Sequence, residues 1–169
     1  FHKAYPIPLG VDRSAPQLPD KPHLFVQIEY FQKFYNLNAS KPLKFTYFNR
    51  VRRSPQFKER RDVLSLCQTT WSKHYHKSTL SKSHSEYLEI MGSCLFTICV
   101  HGGGLDVNPK LWEALLIGVI PIIKENKPYT DLYVELDLPV VIIKEWSATT
   151  ITQENLTLWR NKYYNYFTD

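Results

Sequence analysis

The residues best suited to chemistry lie between His101 and Glu113. His101 is followed by three consecutive glycines, Gly102, Gly103 and Gly104. Glycine lets backbone N–H groups come close to a ligand. Lys110 and Glu113 are three residues apart, so on a helix they share one edge. A carboxylate there can accept hydrogen bonds from ribose hydroxyls, and a nearby cation can meet a diphosphate. The stretch therefore predicts a site for a phosphate-bearing ligand.

Each of these residues also has a purely structural interpretation. His101 can donate to a phosphate or a sugar hydroxyl, or it can be a hydrogen-bonded structural histidine. Asp106 can bind a hydroxyl, although steering the glycine turn is the stronger interpretation for this residue. Lys110 and Glu113 can form a surface ion pair worth less than about 1 kcal/mol. The spacing alone leaves these alternatives open.

A cluster of basic residues is the second candidate. It consists of Arg50, Arg52, Arg53, Lys58, Arg60 and Arg61. Ligands of parallel sheets bind beyond the carboxyl ends of the strands, where this turn and the glycine loop should both emerge. Guanidinium groups suit bidentate phosphate recognition, but an arginine cluster is more often a solvated face. Arg50 and Arg53 are favoured because they lie closest to the end of the predicted strand.

The elements that position these residues alternate between strand and helix. Apolar and aromatic runs predict strands over residues 44–48, 95–100, 119–123 and 140–143. Helical periodicity predicts helices over residues 57–68, 85–94 and 130–136, and a last amphipathic helix through residues 156–167. Ser83 or Ser85 is expected to cap the second of these helices, and Thr150 or Thr152 to start the last one. Between the second and third strands, a helix is expected with Asn108 as N-cap, Pro109 at its first position and Gly118 just beyond its end. This alternation predicts an α/β fold with a parallel sheet covered on both faces.

The remaining segments are less regular. Residues 1–22 contain five prolines and are expected to form a hinge or linker, leaving residues 23–169 as one domain. Residues 24–35 have helical periodicity, although Phe25–Ile28 can equally be a strand. Residues 69–81 have no clear period and can hide a short strand. Because the chain begins with Phe1 rather than Met, we expect it to be an excised domain or a processed chain.

Composition restricts the classes of function. The net charge of +5 favours anionic partners, but 16 acidic residues against 21 basic ones fit a small anion as well as nucleic acid. No recognised nucleic-acid motif is present, so nucleic-acid binding is the least favoured class. Neither the cysteines nor the histidines have metal-ligand spacing, and no metal site is predicted. The three cysteines are expected to be inert core thiols, which favours a reducing compartment.

Four segments resemble the exostosin-like glycosyltransferases. They are Tyr5-Pro-Ile-Pro-Leu-Gly10, Phe45-Thr-Tyr-Phe-Asn-Arg50, Cys94-Leu-Phe-Thr-Ile-Cys-Val-His-Gly-Gly-Gly-Leu-Asp106 and Lys110-Leu-Trp-Glu-Ala-Leu-Leu-Ile-Gly-Val-Ile-Pro121. The resemblance implies the C-terminal, donor-binding half of a GT-B fold, which is a Rossmann-like domain. It implies transfer of a sugar from a nucleotide diphosphate sugar to a glycan or glycoprotein acceptor without a cofactor or catalytic metal. Members occur in the Golgi lumen and as soluble enzymes, so the compartment stays open.

The same resemblance implies roles for individual residues. Glu113 would hold the donor ribose, while Lys110 and the amides of Gly102–Gly104 would meet the diphosphate. Arg50 or Arg53 would neutralise charge on the leaving group. The acceptor side would come from an N-terminal domain of the same polypeptide, so no catalytic base is assigned. The alternative is a non-catalytic, transferase-like binding module within a larger protein.

Overall fold

The computed structural model describes residues 29–35, 41–48, 53–77, 83–102, 109–127 and 129–167. Its strands are β1 (Phe45–Tyr47), β2 (Phe96–Ile98), β3 (Ile120–Lys124) and β4 (Val141–Ile143). Its α-helices are α1 (Lys58–Gln68), α2 (His84–Gly92), α3 (Lys110–Leu116), α4 (Tyr129–Glu135) and α5 (Gln153–Tyr163). Short 3₁₀ turns cover Pro55–Phe57 and Tyr164–Phe167, and residues 29–32 are helical. The predicted linker over residues 1–22 lies outside the described residues.

All four strands are parallel, and they lie side by side in the order β1-β2-β3-β4. Phe45 is paired with Phe96, Phe96 with Ile120, and Ile122 with Val141. The predicted α/β fold with a Rossmann-like parallel sheet is therefore confirmed. β1, β2 and β4 are shorter than their apolar runs, and β3 has the predicted length but is shifted by one residue.

Helices cover both faces of the sheet. On one face, Val63 and Cys67 of α1 and Leu156 of α5 pack against Phe45 and Phe96. On the other face, α2 and α3 pack on each other, and Leu111 of α3 packs with Tyr133 of α4. This arrangement explains why the strands are apolar on both sides rather than alternating.

The helix α3 ends as the sequence predicts. Gly118 has φ of 73°, the left-handed conformation that glycine adopts without a steric penalty. Its N–H donates to Leu115 O (3.3 Å), and the N–H of Val119 donates to Ala114 O (2.9 Å), which together form a Schellman motif. At the other end, Pro109 has helical dihedrals and directly precedes Lys110. The predicted cap Asn108 lies outside the described residues.

The other predicted helix starts can also be located. Ser83 caps α2, since its Oγ accepts from the N–H of Glu86 (3.2 Å). Thr152 caps α5 by accepting from the N–H of Asn155 (3.1 Å). The irregular segment after α1 contains one bridge, in which Tyr75 runs parallel to Phe45 along the open edge of β1. The sequence left open whether residues 69–81 contain a short strand. In the described part of this segment, the structure shows this bridge.

All three cysteines are buried and free, as expected of core thiols. Burial raises the pKa of Cys67 and of Cys99 to about 12, so both thiols stay protonated near neutrality.

Candidate functional site

The chemistry-bearing side chains meet at the carboxyl-terminal edge of the sheet. Helices α1 and α3 start just beyond β1 and β2, while α2 runs back toward β2 and therefore starts at the same edge. A side chain near the start of each helix therefore contacts a neighbouring strand end or helix. Arg60 of α1 reaches His101, Lys110 of α3 reaches Phe48, and His84 of α2 reaches Glu113. Parallel α/β sheets bind ligands at this edge.

Arg60 is the arginine that the fold turns toward the glycine loop. Its Nε donates to the backbone carbonyl of His101 (3.0 Å), and its guanidinium stacks over the Phe57 ring at 5.1 Å. A Cβ atom placed on Gly102 would lie 3.0 Å from Arg60 Nη2. The absence of a side chain at Gly102 therefore makes room for this cation.

Lys110 is the second buried cation of the site, with 7% of its surface exposed. Its Nζ donates to the backbone carbonyl of Phe48, just after β1. Burial, followed by repulsion from Arg60, lowers the pKa of Lys110 to about 8, against the opposing influence of Cys99 and Glu113. Two cations that repel each other at one strand edge create a potential suited to an anion.

Glu113 is also buried, and both of its carboxylate oxygens are engaged. Oε1 is 3.0 Å from His84 Nε2, and Oε2 accepts from the Tyr87 hydroxyl at 2.8 Å. Burial and the neighbouring carboxylate raise the pKa of Tyr87 well above its usual value, so the phenol remains a donor. A surface ion pair between Lys110 and Glu113 is therefore the wrong interpretation, because both side chains are buried.

His101 links the ends of β2 and β3. Its Nε2 is 3.3 Å from the carbonyl of Lys124, which requires a proton on that nitrogen. A neutral ring then leaves Nδ1 as an acceptor, and Nδ1 is buried without a partner within the described ranges. His101 in this form can accept from a sugar hydroxyl, and a doubly protonated ring can instead donate to a phosphate.

Other polar groups complete this edge. Lys124, at the end of β3, pairs with Glu59 in the first turn of α1. Trp112 Nε1 and Thr130 Oγ1, near the starts of α3 and α4, are buried polar atoms for which the described part of the chain offers no hydrogen-bond partner. Buried polar atoms of this kind are uncommon.

The predicted site residues are placed unequally. The structure brings Lys110, Glu113, His101 and Gly102 together at this edge, while Arg53 is exposed. Four predicted residues lie outside the described part of the chain: Gly103, Gly104, Asp106 and Arg50. Helix α3 has seven residues, so the case for anion binding is carried by cationic side chains rather than by the dipole of this short helix.

The sequence interpretation missed Arg60 as the favoured arginine, and it missed His84 and Tyr87 altogether. A signal for Arg60 was present, because it lies three and seven residues before Val63 and Cys67, on the buried stripe of α1. A charged residue on a buried stripe is aimed at a partner. His84 and Tyr87 share a helical edge in the same way, but their partner Glu113 is distant in sequence.

Comparisons with known proteins supply no family assignment: no family model matches the chain, and no curated protein matches it significantly. Over the residues that the structure describes, no helix is long and apolar enough to span a bilayer. In the same ranges, no group of three or more His, Cys, Asp or Glu side chains is arranged to hold a metal ion.

Proposed function

We propose that this chain binds the nucleotide diphosphate sugar donor of a glycosyl transfer reaction. In this proposal it is the donor-binding, Rossmann-like domain of an exostosin-like glycosyltransferase of the GT-B type. The observation that carries the proposal is the pair of buried cations, Arg60 and Lys110, beside the buried carboxylate of Glu113 at the ligand-binding edge of a parallel sheet. Cations for a diphosphate and an acceptor for a ribose are the two groups that such a donor requires.

The proposed roles follow from the chemistry of each group. Arg60 and Lys110 bind the diphosphate and stabilise its negative charge as the sugar departs, which is electrostatic stabilisation of the leaving group. Glu113 accepts hydrogen bonds from the ribose. His101 Nδ1 accepts from a hydroxyl of the sugar. The glycan or glycoprotein acceptor and the group that activates it are assigned to an N-terminal domain of the same polypeptide, and no cofactor is required.

Calorimetric titration of the chain with UDP, GDP and dTDP tests the proposal, with uridine, guanosine and thymidine as the matched nucleosides. We expect at least one diphosphate to bind, and its nucleoside to bind at least tenfold more weakly, because the nucleoside lacks the charge that Arg60 and Lys110 recognise. Arg60→Met should remove most of that difference. Arg61→Met is the matched control, since Arg61 donates instead to the carbonyl of Ser54 on the exposed side of α1.

Three results would contradict the proposal. One is that none of the diphosphates binds, which would favour the alternative of a non-catalytic module that docks on another domain. A second is an equal loss of affinity in Arg60→Met and Arg61→Met. The third is tight binding of single-stranded nucleic acid with a steep salt dependence, which would indicate phosphate-backbone recognition by the exposed basic residues.

A further inference from the structure

A chain of hydrogen bonds runs through the carboxylate of Glu113. The Tyr30 hydroxyl lies 3.2 Å from His84 Nδ1, and His84 Nε2 lies 3.0 Å from Glu113 Oε1. Tyr87 donates to the other carboxylate oxygen at 2.8 Å. The network therefore joins three elements: the helical segment at residues 29–32, α2 and α3.

Aromatic packing fixes the His84 ring within this network. The ring is stacked between Tyr30 (centroids 5.7 Å apart) and Tyr87 (5.6 Å), and the edge of Phe31 meets it at 6.0 Å. Tyr87 is in turn held by the ring of Phe48 at 5.0 Å. The two groups that contact Glu113 are thus locked by their own surroundings, which is how a binding group is preorganised.

The direction of the hydrogen bonds follows from the acceptor in the middle. A carboxylate only accepts, so His84 Nε2 carries a proton and donates to Glu113. Each carboxylate oxygen has two acceptor positions, and His84 and Tyr87 use one on each oxygen. One acceptor position on each oxygen is left, and the orientation of the carboxylate fixes where these positions point.

We infer that His84 and Tyr87 are positioning residues that orient Glu113 to select a ribonucleoside diphosphate over its 2′-deoxy counterpart. This inference rests on the proposed function, in which Glu113 accepts from the ribose. A carboxylate held in one rotamer forms a charge-assisted hydrogen bond with a correctly placed 2′-hydroxyl without having to be ordered first. A carboxylate free to turn away forms that bond at a cost in ordering, so the preference for ribose shrinks.

The test compares the affinities of UDP with 2′-deoxy-UDP, and of GDP with 2′-deoxy-GDP, by calorimetry on the chain and its variants. We expect the unmodified chain to prefer the ribonucleotide about tenfold or more in the pair that binds. Tyr87→Phe should reduce this ratio at least threefold. His84→Ala should do the same, while His84→Gln, which can still donate to Glu113, should retain most of the preference.

A purely structural role would not change this ratio, because each protein is compared with itself. Tyr163→Phe is the matched control, since it removes the hydroxyl of a buried tyrosine on α5. It should leave the ratio unchanged even where it lowers the melting temperature. Any destabilised variant is measured under conditions where its circular dichroism matches that of the unmodified chain.

The failures are distinguishable. If no nucleoside diphosphate binds the unmodified chain, the proposed function fails and this inference fails with it. If ribonucleotides and deoxyribonucleotides bind equally well, nucleotide binding stands, and the ribose role of Glu113 and its positioning are both overturned. If the ribose preference is present but survives both Tyr87→Phe and His84→Ala, only the positioning role is overturned.

Discussion

Arg60 and Gly102 illustrate how one small residue can determine the position of a large one. The Arg60 side chain crosses from α1 to the loop after β2, where its Nε donates to the carbonyl of His101. Its terminal nitrogen then lies directly beside Gly102. The backbone of Arg60 is held as well, because the buried Tyr47 hydroxyl donates to its carbonyl at 2.8 Å. Arg60 is therefore held at its backbone carbonyl and at Nε.

Gly102→Ala should displace the Arg60 guanidinium. The new Cβ would lie 3.0 Å from Nη2, closer than such contacts normally are. Because the guanidinium ends a flexible side chain and needs to move by only a few tenths of an ångström, we expect a loss below about 1 kcal/mol in the free energy of unfolding and a changed Arg60 Nε–H resonance. Chemical denaturation and NMR of the arginine side chains measure these effects. An unaltered Arg60 resonance would contradict the packing described.

The pairing of these residues was only partly predictable from the sequence. The three glycines predicted a close approach to the backbone, and the approaching group is a side chain of the same protein. Arg53 was favoured because it is nearer to β1 along the chain, yet it is exposed. Arg60 is turned inward by the rotation of α1 about its axis, which the packing of Val63 and Cys67 on the sheet sets, whereas Arg53 lies before this helix.

Helix α3 shows how a short element can be fixed by its end. Seven residues are too few to form a stable helix in isolation, so α3 depends on burial and on its termination. Its last turn is closed by Gly118, and the carbonyl of Gly118 is contacted in turn by the buried Nζ of Lys41 at 3.5 Å. The position of Glu113 within the site depends on this helix remaining in place.

Gly118→Ala should destabilise the protein by about 1–2 kcal/mol, because alanine pays a steric penalty in the left-handed conformation. Gly118→Asn should cost less, since asparagine tolerates that conformation better. Gly92→Ala is the matched control: a Cβ there would make only ordinary contacts, the nearest at 3.6 Å from Phe34 O. Thermal unfolding of the three variants checks this order. Equal losses at positions 92 and 118 would contradict the assigned role of Gly118.

The boundaries of the helices and strands were predictable to within a few residues. The side-chain contacts between these elements were not. Apolar runs located every strand, and Ser83, Thr152 and Gly118 marked helix ends because capping is local chemistry. The contact between Glu113 and His84 spans 29 residues of sequence. No periodicity encodes such a contact, because it arises only when two helices start at the same edge of the sheet.

The stability of the whole domain should vary with pH in two opposing ways. Burial lowers the pKa of Lys41 and of Lys110 from 10.5 to about 8. Between about pH 8 and pH 10.5, the unfolded chain keeps lysine protons that the folded protein has lost, so stability rises with pH. Burial raises the pKa of Cys67 and of Cys99 from 9.0 to about 12. Between pH 9 and about pH 12, the folded protein keeps thiol protons that the unfolded chain has lost, so stability falls with pH.

We therefore expect the free energy of unfolding to rise from pH 8 to about pH 9 and to change little between about pH 9 and 10.5, where the two lysines and the two cysteines act in opposite directions. Above about pH 10.5 it should decline. Lys41→Met should be more stable than the unmodified chain at pH 7, with an advantage that shrinks by up to about 1.4 kcal/mol per pH unit above pH 8. Urea denaturation across this range provides the measurement. Lys127→Met, at an exposed position on the protein surface, is the control and should leave the profile unchanged. A constant advantage for Lys41→Met would contradict the linkage.

The spatial order of the strands has a consequence for how the domain is made. Because neighbours in the sheet are also successive along the polypeptide, each strand finds its partner already in place when it leaves the ribosome. No strand has to wait for a later one to be inserted beside it. Synthesis can thus extend the sheet from one side to the other, and the carboxyl-terminal edge that carries the candidate site is assembled progressively as each crossover is completed.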